Sequence, residues 1–65
     1  NEQKSISIYN IKGQRVRQFS ILNSQLSIIW NGKDDFGKKV SAGVYLYRLN
    51  IGNKTVAEKK CILMR

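Results

Sequence analysis

The sequence predicts an all-β fold, an antiparallel sandwich or small barrel of about five strands. Three observations predict it. Ile, Val, Leu, Tyr and Phe come in short bursts that alternate with polar residues, as half-buried strands require. Turn residues separate the bursts at intervals of roughly 8 to 15 residues. No stretch carries a helical period, and the chain has no proline.

The elements follow in order. "KSISIYNI", residues 4–11, reads as a strand with Ile6 and Ile8 on one face and Ser5, Ser7 and Tyr9 on the other. "KGQ", residues 12–14, is a turn in which Gly13 supplies positive φ. "RVRQFSIL", residues 15–22, is a second strand, and the slip in apolar parity between Val16 and Phe19 predicts a bulge or a strand end. Asn23 and Ser24 turn the chain, and "QLSIIW", residues 25–30, reads as a third strand with Leu26, Ile28 and Trp30 on one face. A loop over residues 31–43 carries Gly32, Gly37 and Gly43. "VYLYRLNI", residues 44–51, is the strongest strand. Tyr45, Tyr47, Leu49 and Ile51 lie on one face, Val44, Leu46, Arg48 and Asn50 on the other. Gly52 and Asn53 form a two-residue hairpin turn in which both residues tolerate positive φ, and "KTVAEKKCILM", residues 54–64, returns as the last strand.

At 65 residues the chain is one domain, 1–65, with a thin core. Twelve Lys and Arg against four acids give a net charge of +8, which attracts polyanions without selecting one. The basic residues are spread along the chain, as on the solvated faces of strands. Cys61, the single cysteine, is flanked by Ile62, Leu63 and Met64 and reads as a small buried hydrophobe. No apolar run approaches the roughly 20 residues that span a bilayer. The chain begins at Asn1, not Met, and reads as a piece of a longer protein.

The chemistry-bearing templates fail at named positions. There is no histidine, which removes the commonest general base and metal ligand and the usual Ser-His and Cys-His pairs. Asn31, Lys33 and Asp35 alternate as in a calcium loop, but Lys33, Phe36 and Ala42 occupy three positions that such a loop needs otherwise. Gly32, Gly37 and Lys38 suggest a phosphate loop, yet Lys39 stands where Ser or Thr must hold magnesium. Asp34 and Asp35 are expected to accept backbone hydrogen bonds in a turn. Tyr45 and Tyr47 alternate as a base-stacking face would, but they share that face with Leu49 and Ile51, which argues for packing.

The ordered features from residue 30 onward carry a resemblance. "WNGKD", a glycine two residues past the second aspartate, a valine, "SAGVYLYRL", a Gly-Asn turn and a basic-apolar final strand resemble the C-terminal sorting domain of the type IX (Por) secretion system, a family overlapping the Ig-like domain of the flagellar hook cap. "ISIYNIKGQRVRQF" is similar to that family's opening segment, so the resemblance covers roughly residues 5 to 65. It implies a small Ig-like β-sandwich at the C-terminus of a secreted protein. Such a protein crosses the inner membrane by an N-terminal signal and reaches the periplasm of a Gram-negative-type bacterium. There an outer-membrane translocon recognises the domain, a sortase-like peptidase commonly removes it, and the cargo is joined to lipopolysaccharide. The family's recurrent features fall on Gly43, Tyr45, Lys59 and Lys60, with Gly13 in the first turn. The residues also have structural readings: Gly43 starts a strand, Tyr45 packs on a second sheet, Trp30 sits in the core, and Lys59 and Lys60 point to opposite faces, so that only one is freely solvated if the strand is interior. The resemblance implies another strand before position 1, as the family usually has; either this sequence begins after it, or a neighbour supplies it by strand addition or homo-oligomerisation at the open sheet edge.

The expected function is therefore a non-catalytic secretion and sorting signal that partners the translocon, the peptidase and N-terminal cargo of the same chain, with no cofactor, no metal and no nucleic acid. A structural Ig-like module, such as a hook-cap scaffold or spacer, is the alternative reading. A polyanion-binding β domain is the third.

Overall fold

A computed structural model describes residues 3–21 and 29–64. These residues form four strands, β1 (Lys4–Tyr9), β2 (Arg15–Ile21), β3 (Gly43–Ile51) and β4 (Lys54–Leu63). They make one antiparallel sheet in the order β2-β1-β3-β4. The all-β class stands. The turn expected at Asn23 and Ser24 lies outside the described residues, as does most of the strand expected over 25–30, whose last two residues, Ile29 and Trp30, have irregular backbone.

Register decides which side chains meet, because partners in an antiparallel pair share a face. Ile6 pairs with Phe19 and Leu49, and Ile8 with Arg17 and Tyr47. On β4, Cys61 pairs with Tyr45 and Lys59 with Tyr47. One face is thus apolar along its centre. The other carries Ser5, Ser7 and Tyr9 beside Val44, Leu46, Arg48 and Asn50. Among the described residues only Ile8 and Tyr45 are buried large apolar side chains, at 4% and 6% exposure. That is the thin core expected of so short a chain. Ser7, on the face opposite Ile6 and Ile8, is only 2% exposed. It lies on a central strand between Gln18 and Arg48, and the Asn50 amide approaches its hydroxyl at 3.4 Å.

The expected irregularity in β2 is a bulge at Val16. Ile8 faces Arg17 and Tyr9 faces Arg15, which leaves Val16 as the extra residue. A second register shift leaves Val56 unopposed in β4. The first strand ends at Tyr9, two residues short of its expected end, because Asn10 builds the turn. Its Oδ1 accepts from the Lys12 and Gln14 amides, and Gly13 takes φ 82°. In the β3–β4 hairpin only Gly52 has positive φ, 60°. Asn53 does not share it, so the turn follows the type II′ pattern with glycine first, rather than one needing positive φ at both residues.

Candidate recognition surface

Gly43 opens β3 with φ 148°, a conformation L side chains rarely adopt, although open space surrounds its would-be Cβ. Its role is to bend backbone into the sheet. Two residues on, Tyr45 turns inward. Its ring meets Trp30 edge-on at 5.1 Å between centroids, and its hydroxyl donates to the Ser41 carbonyl at 2.6 Å. Trp30 is half-buried rather than central, and its indole N–H donates to the Lys33 carbonyl at 2.9 Å. The two aromatics thereby pin both ends of the 31–42 loop to β3. Tyr45 is expected to pack on a second sheet; the described residues form one sheet, and the partner of the buried ring is this loop tryptophan. With its ring buried, Tyr45 offers no face for a base to stack on.

The acidic pair in the loop divides its labour. Asp34 Oδ1 accepts from the Phe36 and Lys38 amides at 2.9 Å each, and Gly37 takes φ 83°. Gly37 N–H donates to the Asp34 carbonyl, and Asp34 N–H to the Lys38 carbonyl. Asn10 makes the same set of bonds with Lys12, Gly13 and Gln14. "NIKGQ" and "DDFGK" are therefore one five-residue turn used twice, with a side-chain oxygen first and glycine fourth. Asp35 has a different task. Its amide donates to the Val16 carbonyl at 3.0 Å, and its Oδ1 accepts from the Gln18 amide at 3.1 Å. These bonds occupy the outer edge of β2 next to the bulge. Arg17, on the apolar face opposite Ile8, is accommodated by the same loop. Its guanidinium donates to the Asp34 carbonyl at 2.9 Å, lies 3.7 Å from Asp35 and stacks over Phe19.

Lys59 and Lys60 lie on β4, at the other edge of the sheet. Lys59 sits opposite Tyr47 on the apolar face and Lys60 opposite Leu46 on the other. An edge strand lets both reach water, and both are exposed. Gly43 and Tyr45 are on the adjacent strand, but Tyr45 faces its loop and Gly43 has no side chain, so the four residues do not converge on one pocket. Arg48 and Glu58, paired across β3 and β4, bond at 2.5 Å, and the Arg48 guanidinium covers the Tyr9 ring at 4.8 Å. The hydrogen bond that Arg48 donates to the Glu58 carboxylate, together with the charge of that carboxylate, pushes the Arg48 pKa further up. Cys61 is half-buried, and burial pushes its thiol pKa up, which favours the neutral form over the thiolate. Shallow grooves flank the β3–β4 hairpin. One of about 420 Å³ on the apolar face is lined by Ile6, Ile8, Phe19, Trp30, Tyr47 and Leu63. One of about 350 Å³ on the other includes Tyr9, Ile11, Val44, Leu46, Arg48 and Lys60.

Sequence reasoning missed the sealing of β2 by Asp35 and the Tyr9–Arg48–Glu58 cluster. Both depend on register across distant segments. The twin turns carried a readable signal, Asn10 and Asp34 each three residues before a glycine.

Asp34, Asp35 and Glu58 are committed to holding backbone and neighbours, and the exposed chemistry is a basic strand edge. These features define a small antiparallel β domain with a basic edge strand. The model of the secretion system C-terminal sorting domain matches residues 1–64, and the chain belongs to that family. It is a C-terminal sorting signal of the type IX secretion system. Such a domain acts with the secretion machinery on a cargo chain and leads to export, to the cell surface or the medium. No curated protein and no solved structure matches the chain significantly.

Proposed function

We propose that residues 1–65 act as one non-catalytic domain, recognised in the periplasm by the outer-membrane translocon and then presented to a sortase-like peptidase. Its parent protein is delivered to the cell surface. Recognition rests on the hairpin that carries Gly43, Tyr45, Lys59 and Lys60. Gly43 and Tyr45 set the shape of the hairpin, and the two lysines meet the partner. The observation that carries this division is the exposure of both Lys59 and Lys60 on an edge strand while Tyr45 is buried. The non-catalytic reading is supported by the commitment of Asp34 and Asp35 to backbone amides and of Glu58 to Arg48.

The experiment is an export assay. Residues 1–65, with the segment that precedes them in the parent protein where there is one, are fused behind a periplasmic signal and a fluorescent reporter in a bacterium with a type IX system. The reporter reaches the surface or medium, and the double variant Lys59→Glu, Lys60→Glu accumulates in the periplasm although it folds. A wild-type fusion retained in the periplasm refutes the proposal.

A further inference from the structure

The two edges of the sheet differ. On β2, the Val16 carbonyl and the Gln18 amide are taken by Asp35. On β4, strand neighbours among the described residues lie on the β3 side only, and residues 54–60 are exposed without a break. Seven residues, Ala57–Leu63, run past the Val56 irregularity in unbroken register with β3. Outward-facing amides and carbonyls of such a run can template one more strand.

The side chains on this run specify what that strand must carry. Lys59 and Lys60 occupy consecutive positions on opposite faces, and Cys61, Ile62 and Leu63 follow as an apolar run in which Ile62 is 72% exposed. The one acid within the run, Glu58, is held by Arg48 and leaves the two lysines uncompensated along the strand. A second copy is a poor occupant in the registers that centre on the lysines. Antiparallel self-pairing centred on Lys59, on Lys60 or between them sets lysine against lysine, and like charges directly opposite are destabilising. The same lysines that discourage self-pairing select an oppositely charged guest.

We propose that the outer edge of β4 over Ala57–Leu63 is a strand-addition site for an extended protein segment with two adjacent acidic residues next to an apolar run. The acids face Lys59 and Lys60, and the apolar residues lie beside Cys61, Ile62 and Leu63. This deepens the sorting reading by naming the chemistry of its partner, but its test needs no secretion machinery. Failure here leaves the export assay intact, and failure of export leaves this binding measurable.

The probe is a capped peptide of three valines followed by two glutamates, flanked by threonines. Two controls carry lysines for the glutamates or N-methylated backbone. Binding to the whole 65-residue chain is followed by amide exchange and chemical shifts. The acidic peptide binds and slows exchange of amides in Ala57–Leu63. The lysine and N-methylated peptides bind at least tenfold more weakly, and Lys59→Glu, Lys60→Glu reverses the charge preference. Circular dichroism shows that this variant remains folded. If the variant does not fold, the Lys59→Gln, Lys60→Gln pair is used and lowers the affinity at least tenfold. Absence of binding, equal binding of the N-methylated peptide, protection elsewhere in the sheet, or a homodimer formed through β4 overturns the proposal.

Discussion

Asp34 and Asn10 build the same turn with different charge, and that equivalence sets a sharp test. Replacing Asp34 by alanine removes one oxygen that accepts from two amides, Phe36 and Lys38, at 2.9 Å each. Each net hydrogen bond contributes about 0.5–1.5 kcal/mol, so the pair contributes about 1–3 kcal/mol. Both amides belong to exposed residues, so water replaces part of the loss and the expected cost is about 1–2 kcal/mol. A domain of this size has a total stability of only about 3–5 kcal/mol. The midpoint of thermal unfolding should therefore fall by roughly 4–8 °C for each kcal/mol lost. Asp34→Asn keeps the accepting oxygen and should cost less than about 0.5 kcal/mol. Asn10→Asp, the reverse exchange in the twin turn, should be equally mild. Urea unfolding followed by circular dichroism measures all three, with the slope held constant between variants. If Asp34→Asn is as damaging as Asp34→Ala, the carboxylate charge and not the acceptor geometry holds the turn, and the equivalence of the two turns is wrong.

Gly43→Ala meets no atom within 4 Å but must hold φ 148°, so it should lower stability by about 1–3 kcal/mol in urea unfolding without leaving a clash in the structure. Tyr45→Phe loses the bond to Ser41 and should cost about 1 kcal/mol, whereas Tyr45→Ala also empties the Trp30 contact, costs about 3–5 kcal/mol and leaves the chain largely unfolded by circular dichroism. Because burial raises the Cys61 pKa, folding favours the neutral thiol, and that contribution is full below the ordinary thiol pKa and is lost as pH rises through the folded value. Iodoacetamide at about pH 8.5, the ordinary pKa of a free thiol, should then alkylate the folded chain more slowly than the urea-unfolded chain, and equal rates would contradict the burial.

Local patterning made most of the fold legible. Alternation in "SISIY" and "VYLYRL" located β1 and β3, and the parity slip after Val16 located a bulge. Glycine placement located the turns at Gly13 and Gly52, although the type of the second depended on Asn53 adopting ordinary φ. The candidate site was half legible. Lys59 and Lys60 were readable as a basic pair on alternating faces, but their joint exposure required knowing that β4 lies at an edge. Asp35 looked like a turn residue because its neighbour is one. Its bond to Gln18 spans 17 residues, and no local spacing encodes it.

Periodicity, turn chemistry and the order of motifs are local properties, so the chain alone determined an all-β fold, the turns at Gly13 and Gly52 and its kinship with sorting domains. Strand order is a property of which hydrogen-bonding edges meet. Only the tertiary structure decided that β1 is central, that Ser7 is buried, that Asp35 bonds to the outer edge of β2 and that β4 is the opposite edge strand of the described sheet. The physical reason is that the two edges of a strand offer the same kinds of backbone groups, so its sequence does not say which edge will be paired. Which edge is left to water depends on long-range pairing, and the joint exposure of Lys59 and Lys60 follows from that choice.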